Sequence, residues 1–148
     1  MEDLLFEINE TARAIRRVFD QRAASAGVTR PQWRVLARLK REPGLRQVEL
    51  AERLDMEPIT LCRIVDRLEE AGLVERKADP SDRRAWLLEL TEKATPLVKQ
   101  LRSLAHVLAM EATDGIEEPE LRNLQQQLAA IRANVAASGE TRGKAVRA

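Results

Sequence analysis

The stretch that decides the fold is residues 58–91, PITLCRIVDRLEEAGLVERKADPSDRRAWLLELT. Its first part predicts a helix, because apolar residues recur at spacings of three and four. The members of this inward stripe are Leu61, Ile64, Val65 and Leu68. Pro58 suits the first helical turn, and Gly72 suits the position after the last turn. The period then changes to two, so LVERK and AWLLEL are candidate strands, joined by a turn in ADPSDRR. Trp86, Leu88 and Leu90 share one face of the second strand, which we expect to lie on the core.

A second, shorter helix precedes this stretch. The segment RQVELAERL has a helical pattern with Val48, Ala51 and Leu54 inward, and residues 55–58, DMEP, form a tight connection to the next helix. A short helix, a tight turn and a second helix followed at once by a hairpin form a winged helix-turn-helix. The predicted fold is therefore mainly α, with a two-stranded hairpin as the wing.

Long helices are predicted on both sides of this lobe, which spans residues 29–91. Apolar stripes mark helices over 4–22, 92–112 and 118–137, with Thr29 and Thr91 as caps of the helices that follow them. Three such stripes exceed what one small winged helix covers, so we expect a homodimer built from 4–22 and 92–137; a monomeric helical bundle is the alternative. The domain is predicted to end near residue 138, with a polar, disordered tail over 139–148.

Composition narrows the class of protein. The 148 residues are 44% hydrophobic and 33% charged with net charge +1, which does not by itself indicate a nucleic-acid binder. The charge is uneven, because residues 30–46 carry six basic side chains against one acid. Cys62 is the single cysteine, and the chain has neither a secretory signal nor a 20-residue apolar stretch, so we expect a cytoplasmic protein without a membrane contact. No pattern typical of a catalytic, metal or cofactor site occurs.

The outward face of the helix at 58–71 has the chemistry to read DNA. Its members are Ile59, Thr60, Arg63 and Arg67. In a helix-turn-helix the early residues of the second helix meet base edges in the major groove, where a guanidinium can chelate guanine and an apolar side chain can contact the thymine methyl. The alternative is an ordinary amphipathic helix with a solvated face.

The hairpin tip carries Arg83 and Arg84, which could reach a minor groove or its phosphates, where negative potential is focused. We expect Asp79 and Asp82, or Asp66 across the base of the wing, to pair with these arginines. A solvated charged turn is the alternative, and the adjacent helix-turn-helix favours the DNA interpretation.

Residues 45–100 are similar to the MarR family of bacterial transcription regulators, and most closely to its SlyA-like branch. The matching motifs are ELA, VDRLEEAGLVER, DPSDRRA and LTEKA, and the helix order agrees over nearly the whole chain. The resemblance implies base contacts from Thr60 and Arg63 beside Ile59, and wing contacts from Arg83 and Arg84 with Asp66 and Asp82 as ion-pair partners. Gln47, at the start of the first helix of the motif, joins the predicted DNA-contacting set. The resemblance also implies a homodimeric repressor that binds double-stranded DNA at a pseudo-palindromic operator, with half-sites about 10 bp apart.

Many members of the family release DNA when an aromatic acid binds near the dimer helices. The candidate residues for such an effector site are Arg16 or Arg17, Trp33 and His106, where an arginine would pair with the carboxylate. For each of them a structural role, in the core or in solvent, is the alternative. Two further functions stay open: a winged-helix module that binds only proteins, and a thiol-based redox sensor that uses Cys62.

Overall fold

A computed structural model describes the backbone of residues 2–145 and the side chains of residues 3–138. The described residues form six α-helices, one 3-10 turn and three strands. The helices are α1 Glu2–Ser25, α2 Arg30–Arg41, α3 Gln47–Leu54, α4 Pro58–Glu70, α5 Thr95–Ala112 and α6 Glu118–Ala145, the 3-10 turn is Glu92–Ala94, and the strands are β1 Leu45–Arg46, β2 Val74–Asp79 and β3 Asp82–Leu90. The mainly helical winged helix-turn-helix is confirmed.

The core lies in the first of two compact units, residues 1–109. It gathers buried side chains from all the helices and long strands of that unit, including Phe19, Leu36, Leu50, Leu61, Val65, Val74, Leu88 and Leu101. Each fully buried leucine or valine contributes about 1.5–3 kcal/mol through removal of apolar surface from water. With Leu61, Val65 and Leu68 buried, α4 is held by the stripe that the sequence predicts.

The turn between α3 and α4 depends on one left-handed residue. Asp55 has φ of 50°, a conformation that aspartate tolerates better than most side chains, and the backbone N–H of Met56 donates to the carbonyl of Ala51 at 3.0 Å. One prediction for α3 is wrong, because Val48 is 56% exposed and Leu50 is buried in its place. An eight-residue helix offers only two turns, and Leu50, Ala51 and Leu54 together form a more continuous apolar face.

The sheet has three antiparallel strands in the order β1-β3-β2, one strand more than predicted. The two-residue β1 pairs Leu45 with Leu88 and Arg46 with Leu87. Both strands of the wing are longer than the predicted 73–77 and 85–90. Leu88 is buried as expected, whereas Trp86 is 51% exposed. The core covers β3 at residue 88 but does not extend along the strand as far as residue 86.

The base of the wing is closed by the end of α4. Gly72, predicted to follow the helix, has φ of +72°, and the N–H of Leu73 donates to the carbonyl of Leu68 at 2.8 Å. The hydroxyl of Thr91 donates to the carbonyl of Gly72 at 2.6 Å. These bonds fix the point from which both wing strands leave the helix-turn-helix.

The second unit, residues 110–148, contains α6. The helix continues beyond its predicted end near 137, because the backbone is helical to Ala145. The disordered tail remains a prediction. No proline follows Glu118-Pro119, and single glycines weaken a helix by about 1 kcal/mol without having to end it. Residues 146–148, the rest of the predicted tail, lie outside the described residues.

Between residues 2 and 145, no helix is both long enough and apolar enough to cross a lipid bilayer.

Candidate nucleic-acid interface

The exposed face of α4 carries the residues that the sequence assigns to base reading. Ile59, Thr60, Arg63 and Arg67 are all exposed, and Ile59 is 63% exposed at the first turn of the helix. They point outward because Leu61, Val65 and Leu68 hold the opposite face in the core. An exposed isoleucine, a hydroxyl and two guanidinium groups therefore share one helix surface.

Four arginines on α4 and β3 have no ion-pair partner among the described side chains. Arg63 and Arg67 on α4, and Arg83 and Arg84 on β3, are exposed and make no ion pair with any residue whose side chain is described. Their neighbour Arg76 differs, since it pairs with two carboxylates. The four free guanidinium groups remain available to an anionic partner.

Arg83 and Arg84 lie in a bulge rather than in the turn itself. Ala78 pairs with Trp86, and the next pair is Asp79 with Asp82, so residues 83–85 of β3 have no partner on β2. An extra segment of this kind leaves the ladder and redirects its side chains. Asp82 shapes the bulge, because its Oδ1 accepts a hydrogen bond from the backbone N–H of Arg84 at 3.0 Å.

The predicted ion pairs of Asp66, Asp79 and Asp82 with Arg83 and Arg84 are wrong for the described side chains. Asp66 Oδ1 instead accepts a hydrogen bond from Arg76 Nη2 at 2.5 Å, and Arg76 Nη1 bonds to Glu69. Arg76 lies in β2, paired with Leu88 and close to α4. Arg83 and Arg84 lie further along the wing, in the unpaired part of β3. Gln47 belongs to the same cluster, because its Oε1 lies 3.4 Å from Arg76 Nη2.

A second cluster at the root of the wing was not foreseen. The carboxylate of Asp79 is 7% exposed. Its Oδ2 accepts a hydrogen bond from Arg46 Nε at 2.8 Å. Its Oδ1 accepts hydrogen bonds from the backbone N–H of Ser81 at 2.8 Å and from the hydroxyl of Ser81 at 2.7 Å. The hydrogen bonds from Ser81, together with the contact from Arg46, hold the pKa of Asp79 at about 2, below its usual 3.8. We call Arg46, Asp79 and Ser81 the wing-root clasp. The sequence gives one indication that Arg46 has a special role, because arginine is an unusual residue at a helix N-cap.

The predicted effector residues do not share one groove in the described part of the single chain. A shallow, open groove on the surface of α1 alone is lined by Glu10, Arg13, Ala14, Arg17, Val18 and Gln21, so it includes Arg17 but not Arg16, Trp33 or His106. His106 is exposed on α5.

Trp33 has structural partners, which favours the core interpretation for it. Its ring packs edge-on against Phe19 at 4.7 Å, and its Nε1 donates to Asp20 Oδ1 at 2.9 Å. Burial raises the pKa of Asp20, but the hydrogen bonds from Arg30 and Trp33 and the charges of Arg30 and Arg16 outweigh it and lower that pKa. Trp33 therefore links α1 to α2.

Cys62 is half-buried on α4, and its Sγ lies 3.9 Å from Asp66 Oδ2. Reactive cysteines have cationic neighbours, whereas this one faces a carboxylate. Among the residues that the structure describes, no group of three or more His, Cys, Asp or Glu side chains could hold a metal ion.

The sequence of this lobe matches a known protein family. Residues 28–86 match the family model described as "MarR family". The solved structure of transcriptional regulator PA3341 is 36% identical, with a TM-score of 0.81 over 90% of this chain and 98% of that one. The chain belongs to the MarR family.

Two further MarR-type structures agree. The transcriptional regulator SlyA is 29% identical with a TM-score of 0.79, over 92% of this chain and 96% of that one. A mutant of MarR from E. coli, solved in complex with operator DNA, is 26% identical with a TM-score of 0.74, over 87% and 93% of the two chains. This MarR-family chain is thus a transcriptional regulator with a DNA-binding winged helix, and not an enzyme.

Proposed function

We propose that the protein is a homodimeric, sequence-specific repressor that binds a pseudo-palindromic operator through α4 and the wing. The observation that carries the proposal is the set of four arginines without an ion-pair partner among the described side chains, two on the exposed face of α4 and two in the bulge of β3. Guanidinium groups without a protein partner, on adjoining surfaces of a winged helix, are suited to an anionic duplex.

In this proposal α4 enters the major groove. Arg63, one turn from Ile59 and Thr60, chelates the O6 and N7 atoms of a guanine, and Ile59 covers a thymine methyl. Arg67 lies one turn further along the helix and binds phosphate. Gln47 accepts the contact from Arg76 through its oxygen, which leaves its amide N–H groups to donate to the DNA backbone.

The bulge carries the wing contact to the adjoining minor groove. Arg84 enters that groove and Arg83 holds phosphate, because the guanidinium groups of both are free while the backbone of Arg84 is fixed by Asp82. Minor-groove reading depends on groove width and potential more than on base identity, so Arg84 contributes more to affinity than to sequence choice.

The helices outside the lobe form the dimer. In α1, Leu4, Leu5 and Phe6 are each at least half exposed. In the second unit, no side chain among residues 110–138 is buried, although α6 spans 28 residues. A long helix that buries no side chain within its own unit gains stability from packing against a partner, and a second copy of the chain offers matching apolar surface.

A small aromatic carboxylate is the effector that we propose to release the DNA. The groove along α1 supports this in one respect, because Arg17 lines it and could pair with a carboxylate. A regulator of this kind works beside the bacterial chromosome, in the cytoplasm. Loss of operator binding in the presence of salicylate, and its retention in Arg17→Ala, would test the effector proposal.

The main test is operator selection followed by a salt titration. Duplexes enriched from a random library should contain an inverted repeat, and the affinity for them should fall steeply with salt. Arg84→Ala should weaken binding strongly and flatten the salt dependence, with Arg102→Ala, the same charge change on α5, as the control. A module that binds only proteins would enrich no duplex. Wild-type affinity in Arg84→Ala would show that the bulge does not contact DNA.

A further inference from the structure

The wing tip has few attachments of its own. Residues 83–85 leave the ladder, and beyond Ala78 the strands pair only through Asp79 and Asp82. Trp86, the nearest large apolar residue, is exposed and does not anchor the tip in the core. The orientation of Arg83 and Arg84 therefore depends on the polar contacts at the root of this segment.

Asp79 supplies those contacts with both of its oxygens. Oδ1 accepts two hydrogen bonds from Ser81, which sets the turn, and Oδ2 faces Arg46, with Nε at 2.8 Å and Nη2 at 2.6 Å. A carboxylate that is 7% exposed is costly to bury without such partners. Asp79 thus joins the turn of the wing to a residue that is distant in sequence.

Arg46 connects Asp79 to the helix-turn-helix, because it lies at the start of α3. It pairs with Leu87 in β1, it is the N-cap residue of α3, and its backbone N–H donates to Glu49 Oε2 at 2.8 Å. Serine, threonine, aspartate or asparagine would cap the helix better, so arginine sacrifices a local preference here. Its guanidinium group is used for the contact with Asp79 instead.

We propose that Arg46 and Asp79 are positioning residues for DNA binding: their ion pair fixes the wing tip against the start of α3, so that the wing arginines reach the minor groove while α4 occupies the major groove. The inference rests on the proposed function, and neither residue is assigned a DNA contact. The wing-root clasp sets the angle between two reading elements, each of which keeps its own fold without it.

The first test uses a substitution whose charge effect and positioning effect have opposite signs. Asp79→Asn removes a negative charge close to DNA, so charge alone would tighten binding. Loss of the clasp should instead weaken operator binding by about tenfold, a coupling in the range measured for residues in one ion-pair network. Asparagine can still accept the Ser81 bonds, which favours retention of the turn. Asp55→Asn is the matched control, since asparagine also tolerates its left-handed backbone, and it should not weaken binding. Equal or tighter binding by Asp79→Asn would overturn the proposal.

The second test is a double-mutant cycle between Arg46 and Arg84. If Arg84→Ala weakens operator binding by about tenfold in the wild-type background, it should weaken it by less than about threefold in Arg46→Ala, because the wing is already misplaced. Arg46→Lys should restore part of the affinity, and all variants should remain folded and dimeric at the temperature of the binding assay. The same loss in both backgrounds would refute the clasp and leave the proposed function standing. No loss for Arg84→Ala in the wild type would refute the wing contact, and the clasp with it.

Discussion

Replacement of Arg76 by methionine measures how firmly the wing is tied to α4. Arg76 is 17% exposed on its side chain, and its partners Asp66 and Glu69 are 51% and 43% exposed. Methionine keeps most of the apolar stem in place and removes only the charge and the hydrogen bonds. The variant therefore isolates the two ion pairs from the packing around them.

The exposure of the carboxylates decides the magnitude. Breaking a fully buried pair costs about 3–5 kcal/mol, because one charge is left without a partner or water. Asp66 and Glu69 can instead turn to solvent, and exposed pairs are worth about 0.2–1 kcal/mol each. The low exposure of Arg76 places the sum near the upper limit, so we expect a loss of about 1–2 kcal/mol of unfolding free energy. At about 2–4 °C for each kcal/mol, the melting temperature should fall by about 2–8 °C.

Thermal unfolding followed by circular dichroism, at one protein concentration, measures this change. Lys77→Met is the matched control, because Lys77 is the next residue of β2 and is 51% exposed, with Glu89 at 2.6 Å. It should lower the melting temperature much less than Arg76→Met does. A loss above about 3 kcal/mol for Arg76→Met would show that the pairs behave as buried ones, and no loss would show that they make no net contribution to stability.

Three other predictions concern reading, assembly and pH. Arg63→Ala should cost about 1–3 kcal/mol on the operator and relax the preference at one base pair, measured by binding to a set of single-base operator variants; an equal loss on random DNA would indicate a phosphate contact only. Truncation after Gly115 should convert the dimer to a monomer in analytical ultracentrifugation, and a truncated chain that stays dimeric at micromolar concentration would contradict the role of α6. Because the pKa of Asp79 is lowered from 3.8 to about 2, its stabilising effect should be complete above pH 3.8 and disappear as the pH falls to about 2. The melting temperatures of wild type and Asp79→Asn should thus differ at neutral pH and converge in that acid range; a constant gap would contradict the assignment.

Periodicity and turn chemistry were sufficient to predict the helix-turn-helix and its wing. The inward stripe of α4, the end of that helix at Gly72 and the exposure of Ile59 and Arg63 all depend on residues close in sequence. These local signals also predict the candidate DNA-contacting face, since an outward face follows once the inward one is fixed.

The features that the sequence could not predict are contacts between residues that are distant in the chain, and the extent of the core along each element. Alternation places Trp86 on the same face as Leu88, but it does not tell where the core ends along the strand. The partners of Asp66 and Asp79 lie ten and 33 residues away, at Arg76 and Arg46, and no spacing rule connects them. In α3, two turns were too few for the pattern to choose between Val48 and Leu50.

The bulge at residues 83–85 also bears on how the wing tolerates insertions and deletions. In a paired strand, one added residue would move every later side chain to the opposite face of the sheet. Residues 83–85 face no partner on β2, so a residue gained or lost there leaves the pairing of Leu88 with Arg76 and Leu45 in register. The size of the bulge, and with it the position of Arg83 and Arg84, can thus change without a compensating change in the core.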